Sequence, residues 1–293
     1  MVREANLLDL DAIVEITSLS LPALEEEDLE WYKGLIEAKP RGSVLLVGDD
    51  GGEVVGFILA YVKGFRGYID AIAVHPKWRG RGVGSRLLVE AESRLASLGA
   101  STIYLSVKSS NVSALNFYLK NGYSITGVVL LLEAEVREIQ AEVEGEVKVR
   151  ILKRGVECPR AMPVTWWNSI TGEADMQVYP RVEWERVITV YEDGRFRGII
   201  SLEPETRVAL DYLAVSYHEP AKSLRVVLHA LKSVLEEWGV ERLVVPLDAS
   251  KHSLLKILVD SGFRVIDVEY KLTKNLNRAI RQVLHNSWYT GKP

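Results

Sequence analysis

Between Ala73 and Ser85 the chain reads Ala73-Val74-His75-Pro76-Lys77-Trp78-Arg79-Gly80-Arg81-Gly82-Val83-Gly84-Ser85. An apolar strand ends at Val74, a basic glycine-rich loop follows, and a helix starts at about Val83. Such a loop turns several backbone N–H groups toward one point, and the helix start adds its positive partial charge. A Cβ at the glycine positions would block the approach of an anion or forbid the backbone angles. Arg79 and Arg81 add charge at the rim. The chemistry this suits is the grip of a pyrophosphate. Two known phosphate loops do not fit. The P-loop requires Lys-Ser/Thr after its last glycine, and here Ser85-Arg86 follows. The dinucleotide fingerprint requires its first glycine directly after the strand and an acid about 20 residues on. Here His75 to Arg79 intervene, and Ser101 to Tyr104 offers no acid. His75, on the loop side of the strand, reads as a loop residue rather than a base. Cys158, the only cysteine, stands beside Pro159 with no helix start or basic partner, and reads as a loop or core residue.

The elements that must hold this loop are legible on either side of it. Leu7, Leu8, Ile13 and Ile16 share one helical face. Val44 to Val47 and Val54 to Tyr61 read as strands, joined by the hairpin turn Asp49-Asp50-Gly51-Gly52. A further strand covers about Tyr68 to Val74. The following helix has Val83, Leu87, Leu88, Ala91, Leu95 and Leu98 on one face and Gly99 past its end. Thr102 to Val107 is a strand, Asn111 an N-cap for a short helix ending at Gly122, and Tyr123 to Leu132 a returning strand.

This order occurs twice. Asp70-Ala-Ile-Ala-Val74 matches Asp211-Tyr-Leu-Ala-Val215, Gly56 matches Gly198, Gly99 matches Gly239, and Gly122-Tyr123 matches Gly262-Phe263. The second long helix carries Leu224, Val227, Leu228, Leu231, Val234, Leu235 and Trp238. The charge-rich stretch from about Ala134 to Lys153 joins the copies, and Leu276, Ile280 and Leu284 suggest a terminal helix. The expected domains are 1–137 and 138–293.

The segment after Val74 resembles motif A of the GNAT superfamily of N-acetyltransferases, Arg/Gln-x-x-Gly-x-Gly/Ala after a Val-x-Pro strand exit, with Arg79, Gly82 and Gly84 in place. The resemblance runs from Arg3 to about Leu132. It includes the opening Asn-Leu-Leu-Asp-Leu-Asp-Ala-Ile, Asn111-Val112-Ser113-Ala114, Phe117-Tyr118 and Asn121-Gly122-Tyr123. It implies an α/β (α+β) tandem GNAT fold, two mixed central sheets each flanked by helices, and acetyl-CoA as cofactor. In that family the strands corresponding to Tyr68–Val74 and Thr102–Val107 splay, and the pantetheine arm lies in the gap. Ile72, Ala73 and Val74 would then contact the cofactor, with backbone N–H groups polarising the thioester carbonyl. Arg79, Gly80, Arg81, Gly82, Val83, Gly84 and Ser85 would hold the pyrophosphate, and Asn111 the pantetheine. Tyr118 occupies the general-acid position; a phenol of pKa about 10 can donate to a thiolate of pKa about 8–9. Asp70, on the same strand face as Ile72 and Val74 by alternation, is the candidate base for the amine. The acidic run Glu25-Glu26-Glu27-Asp28 lies where the family forms its acceptor site. The N-terminal half is closest to ribosomal-protein and protein N-terminal acetyltransferases. Ser106 stands where those often carry a glutamate, which weighs against a protein N-terminus as acceptor.

In the second copy Ser223 and Arg225 replace Gly82 and Gly84, and Lys251 and Leu258 replace Asn111 and Tyr118. Side chains at the glycine positions would fill the anion nest, so this copy is expected to bind no acetyl-CoA and to wall the acceptor cleft or support the last strand of the first copy. Composition agrees with a soluble cytoplasmic protein. Charged residues are 26% and net charge is -4, which points to no nucleic-acid or membrane partner. One cysteine builds neither a disulfide framework nor a Cys-based metal cluster, and no metal site is expected. Neither a signal peptide at Met1 to Leu10 nor a membrane-spanning run is expected. The expected reaction transfers acetyl to a primary amine of a small molecule or protein by direct attack in a ternary complex, in a monomer or homodimer. The rival readings are a protein acetyltransferase and an acyl-CoA-binding sensor without catalysis.

Overall fold

The computed structural model describes residues 1–21, 29–152, 161–165, 186–202, 205–210 and 212–276. In chain order the strands and helices are β1 Val2–Glu4, α1 Leu10–Ser18, α2 Leu29–Ala38, β2 Ser43–Asp50, β3 Glu53–Lys63, β4 Arg66–Val74, α3 Val83–Ser97, β5 Thr102–Lys108, α4 Val112–Lys120 and β6 Ser124–Glu135. They continue as β7 Val147–Leu152, β8 Met162–Pro163, β9 Arg186–Glu192, β10 Arg195–Leu202, β11 Arg207–Ala209, β12 Tyr212–Val215, α5 Pro220–Glu237, β13 Arg242–Asp248, α6 His252–Asp260 and β14 Arg264–Asn275. Two compact units are formed. Their described residues fall within 1–126 and 271–276 for the first, and 127–165 and 186–270 for the second.

The first unit grows from the hairpin. Gly51 and Gly52 have φ of 67° and 96°, the paired positive angles of a two-residue turn whose twist matches its strands. β3 is buried along most of its length because both its faces are covered. The Phe57 ring meets Tyr32 of α2 edge-on at 5.7 Å. On the other face Gly56 lies under α3, where an added Cβ would stand 2.8 Å from the Ala73 carbonyl and 3.2 Å from Leu87. The matching Gly198 meets the same constraint in the second unit, at 2.5 Å from Val227 and 2.9 Å from the Ala214 carbonyl. The repeated glycine thus marks one close approach of helix to sheet, made twice. α3 buries Val83, Leu87, Leu88, Ala91 and Leu95 as its periodicity implies, while Leu98 is half exposed. Gly99 follows with φ 104°.

The first unit's sheet runs β1-β2-β3-β4-β5, and beyond β5 lie residues 271–275 of β14. The second unit has residues 264–270 of β14, then β6, β13 and β11, together with a five-stranded sheet in the order β7-β9-β10-β12-β8. Its core gathers Leu224, Val227, Leu228 and Leu231 of α5 with Ile188, Val190, Ile200, Leu213 and Leu243 from the strands. The two copies therefore exchange their last strands: β5 is followed by the strand of copy two, and β13 pairs with β6 of copy one from Arg242↔Glu135 to Asp248↔Val129. Among the described residues the compact units divide at 126/127 and 270/271. The remainder of the suggested terminal helix after Leu276 lies outside the described residues, as do Cys158, Asp211 and the run 25–28. Among the described residues no helix is long and apolar enough to cross a membrane.

Candidate active site

Two features of β4 open the site. Its parallel pairing with β5 has three rungs, Arg66↔Thr102, Gly67↔Ile103 and Tyr68↔Tyr104, and then stops. From Ile69 to Val74 the strand keeps its β3 partner, through Ile58↔Ile72, Phe57↔Ala73 and Gly56↔Val74, while no rung joins it to β5. The second feature is a bulge. Leu59 pairs with Ala71 and Ala60 with Ile69, so Asp70 is the extra residue. The bulge twists the strand away from β5 and leaves a wedge-shaped gap with half-buried Ile72 and Val74 on one side. It also breaks the alternation used above to set Asp70 beside Ile72 and Val74. Asp70 is instead exposed at the bulge itself.

The glycine loop sits at the open end of the gap. His75 caps a short 3-10 turn, its Nδ1 accepting from the Lys77 N–H at 3.2 Å, which gives it a structural task in the loop. Arg79 then folds back, Nε donating to the Val74 carbonyl at 2.9 Å. Gly80 and Gly82 both have φ 76° in the left-handed region, and Gly82 is the residue that precedes α3. Only glycine adopts this region cheaply, and left-handed residues in a turn leave backbone N–H groups available for an anion. The first turn of α3 carries no acidic residue, so its free amides keep their positive field. Arg81 stacks over Trp78 at 4.8 Å, and Arg86 donates to the Arg81 carbonyl at 3.3 Å. Gly84 lies against the Phe117 ring, 3.5 Å from an added Cβ, which joins the loop to α4. Val83 is buried and Ser85 half-buried. The loop thus has space, charge and amides for a diphosphate.

α4 brings the remaining residues. Asn111 caps it, Oδ1 accepting from the Ala114 N–H at 3.1 Å, and its NH2 group takes no part in the cap. Tyr118 is 6% exposed, edge-on to Phe117 at 5.2 Å and to Tyr123 at 5.5 Å. Among the described residues no group hydrogen-bonds its hydroxyl. Burial raises its pKa well above that of a free phenol, so it is protonated at every physiological pH. Tyr123 is raised further, by burial and then by the neighbouring Glu92 carboxylate, to which its hydroxyl donates at 3.0 Å. Glu92 is bound in turn by Lys274 of β14 at 2.6 Å. Nothing in the helical pattern singles out Glu92 beyond a charge on an otherwise apolar face, and no sequence signal links it to a residue so distant in the chain. Among the described residues no group of three or more His, Cys, Asp or Glu side chains is placed to hold a metal ion.

The second unit shows the same place altered. α5 begins at Pro220, only residues 216–219 separate it from β12, and Ser223 is a buried helical residue whose N–H bonds the Glu219 carbonyl. The loop is not filled by side chains, as expected from sequence; it is shortened and absorbed into an extra helical turn. The edge of β12 is also taken. Ala214 pairs with Pro163 and Val215 with Met162, and the Val164 N–H bonds the Leu213 carbonyl at 2.7 Å. Lys251, in the place of Asn111, donates to the Pro163 and Val164 carbonyls. The chain's own residues 162–164 therefore lie along the edge that β4 leaves open in the first unit.

Comparison with known proteins agrees with this geometry. The family model described as "Acetyltransferase (GNAT) family" matches residues 10–123. An N-alpha-acetyltransferase of Sulfurisphaera tokodaii is 31% identical over 135 residues, which is 42% of this chain and 78% of that protein. An acetyltransferase of Sodalis glossinidius is 36% identical over 97 residues, 33% of this chain and 68% of that one. In fold, the chain is similar to a tandem GNAT protein from the clavulanic acid biosynthesis pathway, with TM-score 0.64, 17% identity, and 91% and 93% of the two chains covered. With a splayed β4–β5 pair, a left-handed glycine loop at the start of α3 and these relatives, the chain belongs to the GNAT family of acetyltransferases, in tandem form.

Proposed function

We propose that residues 1–137, completed by the end of β14, transfer an acetyl group from acetyl-CoA to a primary amine, and that residues 138–293 form a degenerate copy that binds no acetyl-CoA. The observation that carries this is the combination of the open edge of β4 with the left-handed Gly80 and Gly82 at its end. Acetyl-CoA supplies a thioester; the carbon–sulfur bond breaks, a carbon–nitrogen bond forms, and the proton lost by the amine ends on the released thiol. The backbone of Arg79 to Ser85, with the Arg79 and Arg81 guanidiniums, binds the diphosphate. The free edge from Ile72 to Val74 binds the pantetheine amides as a neighbouring strand would, and its N–H groups stabilise negative charge on the carbonyl oxygen. The Asn111 NH2 group donates to the same arm.

Tyr118 gives its proton to the sulfur and is reprotonated by the proton that the attacking nitrogen loses. Burial raises the Tyr118 pKa, so the phenol keeps its proton until the thiolate leaves. Asp70, exposed at the bulge just beyond the last β4–β5 rung, takes the proton from the ammonium form of the acceptor. Tyr118→Phe should lower kcat by about 10² or more and leave acetyl-CoA affinity within about twofold, as expected for loss of a general acid. The check is thiol release measured with a panel of polyamines, amino sugars and peptides with free N-termini. Tight acetyl-CoA binding without turnover of any amine would favour a sensor.

A second reading of the acceptor is the α-amine of a protein. It is favoured by the Sulfurisphaera tokodaii relative, named an N-alpha-acetyltransferase. Ser106 in place of the usual glutamate stands against it. Turnover of peptides but not of small amines would decide for it.

A further inference from the structure

We infer that Lys274, which the second copy contributes on the exchanged strand β14, is a positioning residue for Tyr118, acting through Glu92 and Tyr123. The inference rests on the assignment of Tyr118 as the acid.

The chain of contacts is short. The Lys274 ammonium grips both oxygens of Glu92, at 2.8 and 2.6 Å. The side chains are 17% and 11% exposed, so the pair is largely shielded from water. The same carboxylate takes the Tyr123 hydroxyl at 3.0 Å, and the ammonium stands 5.5 Å from the Tyr123 ring. With its hydroxyl bound at one end, the Tyr123 ring cannot rotate freely. Its contact with Tyr118, at 5.5 Å and 67°, then fixes one side of the Tyr118 ring, and Phe117 holds another. A charge pair in this position is costly to desolvate and adds little net stability over apolar residues of the same shape. Its presence here is therefore not accounted for by stability alone.

The molecule contains its own control. Counting from the matched pair Gly122 and Gly262, the second copy has Leu258 for Tyr118, Phe263 for Tyr123, Lys232 for Glu92 and Ala134 for Lys274. The backbone is unchanged at this place. The Tyr123 N–H bonds the Tyr118 carbonyl at 3.1 Å, and the Phe263 N–H bonds the Leu258 carbonyl at 3.1 Å. Leu258 and Phe263 are both buried, and Lys232 turns away to the carbonyls of Arg137 and Ile139. The fold thus closes here with apolar residues alone. The hydroxyl, the carboxylate and the ammonium occur together only where the candidate acid occurs.

The test uses the full chain with Lys274→Met, Lys274→Arg and Tyr123→Phe, each alone and in a Tyr118→Phe background. It reads acetyl-CoA affinity by calorimetry and thiol release with the amine that turns over fastest. Lys274→Met should lower kcat about tenfold with acetyl-CoA Kd within about twofold, and Lys274→Arg should recover most of it, since the charge is kept. Tyr123→Phe, which keeps the ring and the ion pair, should also lower kcat and carries the test should Lys274→Met fail to fold. In the Tyr118→Phe background neither change should lower kcat further. The inference is overturned if Tyr118→Phe loses kcat while Lys274→Met and Tyr123→Phe keep it, or if their losses simply add to that of Tyr118→Phe. Should Tyr118→Phe itself retain kcat, the acid assignment falls and takes the positioning role with it.

Discussion

At the scale of single residues, Gly82 carries more of the proposed site than any charged side chain. It is the last residue before α3, and its φ of 76° sets how the chain turns into the helix. Gly82→Ala should cost about 1–2 kcal/mol of strain if the conformation is kept, or else rotate the loop and lose the anion contacts. Either way KM for acetyl-CoA should rise about tenfold or more, with kcat at saturation changed much less, because the residue lies away from the reacting atoms. Gly84 is different. An added Cβ would rest 3.5 Å from the Phe117 ring, an ordinary contact, so Gly84→Ala should fold normally. Steady-state kinetics on the two variants separates backbone conformation from space as the reason for each glycine. The residue types of this loop were legible in sequence because the constraint is local. Asp70 was not: its strand face depended on strict alternation, and a bulge ends the alternation at that residue.

At the scale of elements, the entry to the first unit is held by charge. Arg3 of β1 binds Asp9 through two nitrogens, at 2.7 and 2.8 Å, and Asp49 through Nε at 3.1 Å. Asp9 also accepts the Asn6 N–H while Asn6 accepts the Leu8 N–H, a reciprocal cap at the start of the first helical segment. The Arg3 guanidinium holds the Asp9 carboxyl below the usual range. A carboxylate depressed by folding stabilises the native state above its unfolded pKa, and that contribution fades as pH falls through the folded value. Asp9→Asn should therefore destabilise by about 2 kcal/mol at pH 7, and the difference from wild type should shrink by pH 3. Denaturant melts of both proteins at the two pH values check this. The hairpin, α3 and α4 were legible because turn glycines, apolar periodicity and the Asn111 cap are written within a few residues. The extra turn at the start of α5 was not, because the pairing of Ser223 with Gly82 assumed loops of equal length.

At the scale of the whole molecule, two copies of one element order exchange their last strands. The repeat itself was visible as glycines at a common spacing, and Gly56 and Gly198 show why they persist: each lies where a helix crosses the sheet too closely for a side chain. The exchange of β6 and β14 left no trace in the sequence, since a strand's pattern records which face is buried and not which strand lies beside it. The Lys274–Glu92 pair is invisible for the same reason. In the second copy residues 162–164 take the edge of β12 and Lys251 fastens them there. A chain with two copies of the fold should accordingly hold one acetyl-CoA. Calorimetric titration of the full chain with acetyl-CoA tests this most directly. One site per chain is expected, weakened about tenfold or more when Gly80 and Gly82 are both changed to alanine. No binding, two sites per chain, or unchanged affinity in that variant would contradict the account.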